Sequence, residues 1–474
     1  MEASALAYVA LIGMVLSSVG VMVSRKPEFT CITLVLAAAM FLPEHAGFKI
    51  PKIPILDRDT LPYFCLLFWF ALRRPRALAR AKVGRGIDLA ILVIALSGIG
   101  TAKTNPDALH ISSWYPDKIL PGLTLNDGLA FMGSDITEMA IPFILGRMIM
   151  TSSRETRRLL IAFAVSGMVY SLFIFVELKM SPQIHRWIYG YTVGASYFGQ
   201  TVRWGGYRPI VFMPHPLGVA MFICNAVVAS LVLLKSKERF KGFSFRWVSV
   251  YLFMTLVLCK CTAAIIYGVV AALAIRLIKP RTQVRAGVII AAVIFLYPVL
   301  RSTDLFPTQA VLTASGWLGA DRAGSMQFRF ENEDLLLARA SERPWFGWGG
   351  YGRNLIYHPI SGNNMSIIDG QWIVIYGNRG AIAMVAFYFV LLAPVAVAMR
   401  RLRRIEGRQE QIQIAGLALM VTISTVDLIP NGLFLTYPFF LSGALLGSVR
   451  AQTAPVTYAA SEPVPPPAPL PASV

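Results

Sequence analysis

The chain has 474 residues, of which 56% are apolar and only 15% are charged. Soluble globular proteins carry about 25% charged residues, so this chain lacks the charge needed to cover itself with a water-facing surface. The composition excludes an ordinary cytosolic enzyme, a small secreted disulfide scaffold and a disordered protein. The formal net charge is +19. The positions of the basic residues along the chain indicate whether they contact lipid or nucleic acid.

Apolar runs long enough to cross a bilayer recur along the whole chain. We count thirteen, and because several of them are short, with 29–42 and 61–72 well below the usual span of about 20 residues, twelve spans are an alternative. The runs occupy residues 5–23, 29–42, 61–72, 87–102, 128–150, 159–177, 211–234, 247–260, 262–278, 286–300, 372–398, 412–428 and 433–449. They predict an all-α fold, a polytopic integral membrane helical bundle of 12–13 spans with one large periplasmic loop.

The polar segments divide this bundle into parts. Residues 1–300 hold the first group of transmembrane spans, and 372–449 hold the C-terminal spans. Between them, 301–371 is far longer than a simple connection, so we predict a large loop there. After Arg450 the chain is rich in Pro and Ala and almost uncharged, which predicts a disordered cytoplasmic tail over 450–474. Three further periplasmic loops are predicted near 43–60, 103–127 and 178–210.

The basic residues are concentrated on one predicted side of the membrane. If the spans alternate, the side that carries the stretch 73–86 holds 27 of the 44 Lys and Arg but only 7 of the 25 Asp and Glu. This is the positive-inside pattern, so that side is cytoplasmic and the remaining loops face the periplasm of a bacterial inner membrane. The basic charges would contact membrane lipids. No basic patch interleaved with aromatic residues indicates nucleic acid.

The five cysteines give no sign of a metal site or a disulfide framework. They lie in or beside apolar runs, and their spacing fits neither pattern. We therefore expect buried thiols, no metal ion and no cofactor. The cysteines are Cys31, Cys65, Cys224, Cys259 and Cys261.

Arginines gather at the predicted periplasmic boundary in two clusters. An arginine at the edge of an apolar phase is costly unless it finds an anion, and its forked guanidinium matches phosphate oxygens. Arg208 and Arg329 are the main candidates for binding a lipid-linked phosphate or diphosphate. The alternative for Arg329 is a salt bridge to Glu333, one helical turn away. Supporting candidates are Arg203, Arg322, Arg343 and Arg353.

Two kinds of titratable residue are candidates for proton transfer. Asp369 precedes an apolar helix, where it could act as a base towards a hydroxyl group. Alternatively, it caps the helix or interacts with the helix dipole. His215 and His358 could bind a diphosphate or act as bases, although a lone interfacial histidine is more often structural. Asp135 and Glu138 lie inside an apolar run, which makes them functional candidates. The alternatives are a pairing with a periplasmic arginine or a segment that is not fully embedded.

The 301–371 segment combines a predicted helix with an aromatic turn. The stretch 328–344 (FRFENEDLLLARASERP) predicts an amphipathic helix, and the glycine-rich stretch 345–354 (WFGWGGYGRN) ends it. Trp345, Trp348 and Tyr351 suit stacking against the sugar rings of an acceptor. Alternatively, these aromatic residues form an interfacial belt that anchors the loop to the membrane.

Three stretches carry a resemblance to a known family. YRPIVFMPHPLGVAMF (207–222), ERPWFGWGGYG (342–352) and DGQWIVIYGNRGAIAMVAF (369–387) are similar to the motifs of the O-antigen ligase and O-antigen polymerase superfamily. Members of that superfamily are multispan inner-membrane proteins with a large periplasmic loop.

The resemblance implies metal-independent, inverting glycosyl transfer from an undecaprenyl-diphosphate-linked glycan to a glycan or lipid-linked acceptor. By matching, Arg208 and Arg329 bind the diphosphate, and Asp369 stands where ligases have a histidine. This departure favours a divergent polymerase, similar to those for exopolysaccharide, over a lipid A–core ligase. Polysaccharide-export proteins are possible partners. A transporter or flippase of a lipid-linked saccharide is the main alternative, and a structural partner of an export machine is another.

Overall fold

The structure is a computed structural model, and it describes residues 4–453 except 51–53, 82, 113–117, 194, 241, 318 and 434. Within these ranges the chain is an α-helical membrane bundle with almost no sheet. The helices of the first half are α1 (Ala5–Ser18), α2 (Gly20–Val23), α3 (Pro27–Phe41), α4 (Leu61–Arg73), α5 (Pro75–Ala81), α6 (Asp88–Lys103), α7 (Leu125–Asp135), α8 (Ile141–Ile149), α9 (Ser153–Met180) and α10 (Ile184–Tyr189).

The second half is helical in the same way. Its helices are α11 (Pro216–Lys235), α12 (Phe245–Leu258), α13 (Thr262–Leu277), α14 (Pro280–Ser302), α15 (Thr308–Gly316), α16 (Ala320–Ser341), α17 (Gln371–Arg401), α18 (Arg408–Asp427) and α19 (Tyr437–Thr453). A π-helix, Ile136–Ala140, joins α7 to α8. Short 3₁₀ turns occupy Ala195–Thr201 and Leu402–Arg404.

Strands occur only as four two-stranded antiparallel hairpins in the described residues. Each hairpin lies in a connection between helices, so the backbone polar groups of the spans are satisfied within helices, as a bilayer requires. The pairs are β1 (Gly47–Phe48) with β2 (Leu56–Asp57), β3 (Leu109–Ser112) with β4 (Lys118–Leu120), β5 (Val202–Arg203) with β6 (Gly206–Tyr207), and β7 (Arg239–Phe240) with β8 (Phe243–Ser244).

Every one of the thirteen apolar runs coincides with a helix, which confirms the predicted all-α membrane fold. In the described residues, six helical stretches are both long and apolar enough to cross a membrane. They are Ala5–Val23, Leu125–Ile149, Ser153–Met180, Pro216–Lys235, Pro280–Ser302 and Gln371–Arg404. The other runs form shorter or more polar helices, and the shorter apolar ones are α3, α4, α12 and α13.

Two helices organise the interior. Helix α11 is buried along most of its length and packs against α9, α12, α13 and α18. Helix α17 packs against α6, α14, α16, α18 and α19, and its buried side chains include Trp372 and Phe387. The buried apolar side chains of α11 belong to one of the two hydrophobic clusters of the bundle, and most of those of α17 belong to the other.

The 301–371 segment is more ordered than a simple loop. Its first part folds into α15 and α16, and the predicted 328–344 helix is the C-terminal part of α16. The helix ends at Ser341, and the following turn uses Gly347, Gly349 and Gly352 at positive φ, as the glycine-rich sequence predicts. At the other end of the chain, α19 continues to Thr453, while the rest of the predicted tail, 454–474, lies outside the described residues.

Contacts join the predicted periplasmic loops to one another. His185 accepts a hydrogen bond from the backbone of Glu44, and Arg353 donates to the carbonyl of Pro121. The basic segments are joined in the same way, for example by the ion pair between Arg157 and Glu238. These contacts join predicted outer loops with one another and basic stretches with one another.

Candidate functional site

Arg329 of α16 and Asp369, two residues before α17, face each other across a cleft. The Arg329 Nε lies 3.6 Å from Asp369 Oδ2, and the two side chains are 31% and 34% exposed. Arg329 Nη1 also donates to the carbonyl of Pro430 at 2.7 Å. We call the space around this pair the α16–α17 cleft, which measures about 420 Å³ including its open mouth. It is lined by Tyr297, Met326, Arg329, Phe330, Glu333, Leu336, Ile367, Asp369, Gly370, Ile373, Ile429 and Pro430.

Helix α16 is held in place by Glu333, one turn after Arg329. Its carboxylate accepts hydrogen bonds from Trp372 Nε1 at 2.6 Å, from the Tyr297 hydroxyl at 2.8 Å and from Arg301 Nε at 2.9 Å. Burial raises the pKa of Glu333, and these three donors oppose that rise. The predicted i,i+4 alternative, a salt bridge between Arg329 and Glu333, is wrong because Arg301 takes that carboxylate. Arg329 is thereby left to pair with Asp369.

Asp369 does not cap α17. The residue at the cap position is Gly370, and no side chain bonds to the first turn there. The carboxylate instead makes its ion pair with Arg329. The helix-cap alternative is therefore wrong, and Asp369 is at the mouth of the cleft with a third of its side chain open to solvent.

Arg208 follows the β5–β6 hairpin and is buried. Its Nη1 donates to the carbonyl of Gln200 at 3.2 Å, and its backbone N–H donates to Thr201. The next residues are fixed by Glu177 of α9, whose carboxylate accepts the backbone N–H groups of Ile210 and Val211 at 2.8 Å each. A buried carboxylate that accepts backbone donors is a strong anchor, so Glu177 fixes the segment that carries Arg208.

His215 is the N-cap of α11. Its Nδ1 accepts the N–H of Leu217 at 3.2 Å, so the proton is on Nε2, which donates to Gln200 Oε1 at 3.1 Å. The pKa of His215 is lowered to about 4, first by burial and then by the positive charges of Arg208 and Arg329. Both guanidinium groups therefore lie close enough to act on one ring. The structure brings Arg208, His215, Arg329 and Asp369 into one region.

Sequence reasoning missed two residues that support Arg329. Asn431 Oδ1 accepts from Arg329 Nη1 at 3.4 Å, and Asn431 Nδ2 donates to Asp427 Oδ1 at 2.9 Å. Asp427 is the last residue of α18 and is buried. An aspartate ending an apolar run is a weak signal, and only the fold places it beside α16.

The three aromatic candidates for acceptor binding divide into two groups. Trp345 and Tyr351 are 66% and 64% exposed. Trp348 is buried, because its ring lies under the guanidinium groups of Arg339, at 3.4 Å, and Arg343, at 4.4 Å, and its Nε1 donates to the carbonyl of Arg339. Both arginines cover this ring, so Trp348 is a structural residue and not a sugar platform.

The remaining support candidates hold the loops together. Arg353 is almost completely buried, and it donates to the carbonyls of Trp348, Pro121 and Asp107 at 3.2, 2.6 and 3.0 Å. Its guanidinium is therefore committed to backbone oxygens, not to an anion. Arg343 donates to the carbonyl of Thr104.

Three further candidates remain, a histidine and two arginines. His358 Nδ1 accepts the N–H groups of Ile360 and Ser361, which makes it the cap of a turn. Arg203 belongs to β5. Arg322 falls in α16, but its side chain lies outside the described part of the structure.

The buried carboxylate Asp135 forms an ion pair that sequence reasoning left open. Its Oδ2 accepts from Nη2 of Arg379, which lies in α17 next to the helix break at Gly380. The same guanidinium lies over the ring of Phe131, 4.5 Å from the centroid. Asp135 is therefore paired with an arginine, which was one of the predicted alternatives.

No family model and no curated protein matches this chain. Within the described residues, no group of three or more His, Cys, Asp or Glu side chains is arranged to hold a metal ion. The candidate site consists of two arginines, a carboxylate and a neutral histidine in a helical membrane bundle.

Proposed function

We propose that this protein is a membrane glycosyltransferase of the O-antigen ligase and polymerase type. In this proposal it transfers or polymerises glycan from an undecaprenyl-diphosphate donor in surface polysaccharide synthesis, with its site facing the periplasm. The observation that carries the proposal is the Arg329–Asp369 pair, about one-third exposed in a cleft, with buried Arg208 and Arg329 both acting on the His215 ring. Membership of the superfamily, suggested by the sequence motifs, is part of the proposal.

The two arginines suit a diphosphate leaving group. Their guanidinium groups are permanently charged and match phosphate oxygens in a forked geometry. Placed at the end of α11 and beside α17, they would meet the headgroup of a lipid that stays in the bilayer. Donors preorganised at a developing negative charge stabilise the transition state more than the ground state.

The reaction needs one bond to form and one to break. The acceptor hydroxyl oxygen bonds to the anomeric carbon, while the bond from that carbon to the diphosphate oxygen breaks and its electron pair leaves on the diphosphate. The hydroxyl proton passes to Asp369 and then to solvent. Attack opposite the leaving group inverts the anomeric centre. Asp369 is the base in this scheme. Its ion pair with Arg329 breaks when the Arg329 guanidinium turns to the diphosphate.

The proposed topology has 12–13 spans in a bacterial inner membrane. Its support is that predicted outer loops contact one another and that basic segments contact one another. Arg329 binds the backbone of Pro430, between α18 and α19, which lies at the same end as the loops. The cleft would then open to the periplasm, where lipid-linked glycans are joined.

The direct test is the length of surface polysaccharide in cells that carry single variants at wild-type protein levels. We expect Arg329→Ala and Arg208→Ala to reduce polymer by at least about 100-fold, because removing one oxyanion-type donor costs that much. Asp369→Asn should reduce it by about 100-fold or more. Arg186→Ala is the matched control, because Arg186 is exposed in α10 and should leave the polymer unchanged. Wild-type polymer in the Arg329 and Asp369 variants would refute the mechanism.

A further inference from the structure

An uncharged segment connects the end of α14 to the start of α16. Residues 305–320 contain no Asp, Glu, Lys or Arg, whereas Arg301 and Asp304 precede the segment and Asp321 and Arg322 follow it. Helix α15 forms the middle of this segment, and none of its residues, all of which the structure describes, is buried. Helix faces that meet water normally carry charged side chains. The exposed surface of α15 therefore lacks the composition that water favours.

Large apolar side chains are exposed on both sides of α15. Leu305, three residues before the helix, is 72% exposed, and Trp317, directly after it, is 84% exposed. Between them, Ala310, Thr313 and Ala314 are exposed at the helical spacing that places them on one face with Trp317. An exposed apolar surface of this kind marks a contact with a membrane or with another protein.

The start of α15 is fixed against the last turn of α14. The N–H of Leu305 donates to the carbonyl of Leu300 at 2.9 Å, and Arg301 Nη1 donates to the Thr308 hydroxyl at 3.3 Å. Helix α14 is long and apolar enough to cross a membrane. Its exposed apolar face consists of Ile289, Val293, Leu296 and Val299. Leu305 is therefore held beside the end of a helix whose exposed face meets lipid.

The neighbouring residue Phe306 fixes this turn to the bundle. Its ring packs between Tyr297 of α14, with ring centroids 4.9 Å apart, and Phe330 of α16, with ring centroids 6.0 Å apart. Phe306 thus fills the inner side of the turn, and Leu305 remains outside. The lipid around α14 is the apolar phase nearest to Leu305, and tryptophan is enriched where a membrane meets water. Lipid can therefore cover both exposed side chains without a second protein chain.

We propose that residues 305–320 lie in the interface between membrane and water at the end of α14, with Leu305 and Trp317 inserted among the lipids. This interface belongs to the outer leaflet in the topology proposed above. Helices in such a position bury their apolar face about 5–10 Å into the boundary between headgroups and acyl chains. The first part of the 301–371 segment is then a membrane anchor that holds α16. The inference concerns lipid contact alone, so it does not depend on glycosyl transfer.

The test uses the full-length protein with Cys65→Ser in liposomes of phosphatidylethanolamine and phosphatidylglycerol. Leu305→Cys and Trp317→Cys are labelled separately with an environment-sensitive fluorophore. One quencher is a nitroxide on the lipid acyl chain just below the headgroup, present in both leaflets, and the other is iodide on both sides of the membrane. Leu296→Cys, on the exposed face of α14, is the lipid control, and Asn363→Cys, exposed in the loop, is the water control.

We expect the labels at 305 and 317 to be quenched strongly by the nitroxide lipid, to emit at shorter wavelength than the label at 363, and to be protected from iodide. The label at 296 should behave in the same way, and the label at 363 should show the reverse. Quenching by iodide without quenching by the nitroxide at either tested position would overturn the inference, because that residue would project into water. Protection from both quenchers would also overturn it, since protein, such as a second copy of this chain, would then cover the segment.

Discussion

His215 lies between the N-terminus of α11 and two guanidinium groups, and each of these disfavours a positive charge on the ring. Its Nδ1 must remain unprotonated to cap the helix. His215 is therefore a neutral residue whose two ring nitrogens link Gln200 to the start of α11 by hydrogen bonds. Within the candidate site it positions Arg208 through Gln200, which both side chains contact.

The lowered pKa of His215 has a consequence for stability against pH. The folded state holds the pKa near 4, below the ordinary value of 6.5, so the unfolded state binds more protons between these values. The contribution is full above pH 6.5 and is lost as the pH falls towards about 4. We expect the unfolding temperature to fall less steeply over this window in His215→Asn, which keeps a cap acceptor. An identical slope in variant and wild type would contradict this electrostatic account.

Arg353 is a buried cation whose hydrogen bonds go to backbone carbonyls. It donates to three backbone carbonyls that belong to two separate loops. We predict that Arg353→Ala destabilises the fold by about 2–4 kcal/mol, since carbonyls are left buried without donors. Thermal unfolding of the purified protein in detergent measures this, with the exposed Arg186→Ala as control. A wild-type unfolding temperature for Arg353→Ala would show that these carbonyls find other partners.

For single residues, the sequence gives the type of each side chain but not the role that each arginine has in the fold. Arg208, Arg329, Arg343 and Arg353 have the same chemistry and similar surroundings in the chain. Their roles differ because the partners are distant: the carbonyls bound by Arg353 are 232 and 246 residues away. The sequence did not predict that Arg329 pairs with Asp369. Arg301 binds the Glu333 carboxylate only when α14 packs beside α16, and this packing is not visible in the sequence.

Helix α17 is the element on which the site is built, and it is interrupted at Gly380. This residue has φ 76°, outside helical values. The turn after α16 packs into the break: Ala381 N–H donates to the carbonyl of Pro344 at 2.7 Å, and Trp348 N–H donates to Gly377 at 2.8 Å. A Cβ at Gly380 would collide with the backbone of Trp345.

We therefore predict that Gly380→Ala disturbs the fold around the cleft. With φ 76° and ψ −179°, Gly380 lies in a backbone region essentially confined to glycine, where a side chain alone costs about 1–3 kcal/mol, and the collision adds to this. Both polymer formation and unfolding temperature should fall. Gly13→Ala is the matched control, because a Cβ there meets nothing within 4 Å in α1, and it should be neutral or slightly stabilising. Wild-type behaviour of Gly380→Ala would mean that the turn and α17 are not tightly coupled.

The positions of the helices were the most predictable feature of the fold. Apolar length alone located every span-like helix, and the charged amphipathic pattern located α16. The glycine-rich turn ended that helix as expected, because only glycine adopts positive φ without cost. The π-helix and the break in α17 were not predicted, since both depend on close packing with other segments.

For the whole molecule, the distribution of charge predicts which end of the bundle faces the cytoplasm. A cysteine placed at Asn363 should react with a membrane-impermeant thiol reagent added to the periplasmic side, and one at Arg404 should react only in inverted vesicles. Both positions are exposed. Of the native cysteines, four are buried and Cys65 is partly buried, so Cys65→Ser removes most background labelling. Reaction of both positions from the same side would contradict the alternating topology.

The central claim is that guanidinium groups at the periplasmic end of the bundle bind a lipid diphosphate while its glycan is joined to a new hydroxyl. The most direct measurement uses the purified protein in liposomes with an undecaprenyl-diphosphate glycan and no ion gradient, with EDTA present. Products are separated by size and examined for new glycosidic bonds. The account predicts elongated glycan and released undecaprenyl diphosphate, both absent in Arg329→Ala. Movement of intact donor between leaflets, without any new bond, would contradict it and identify a carrier.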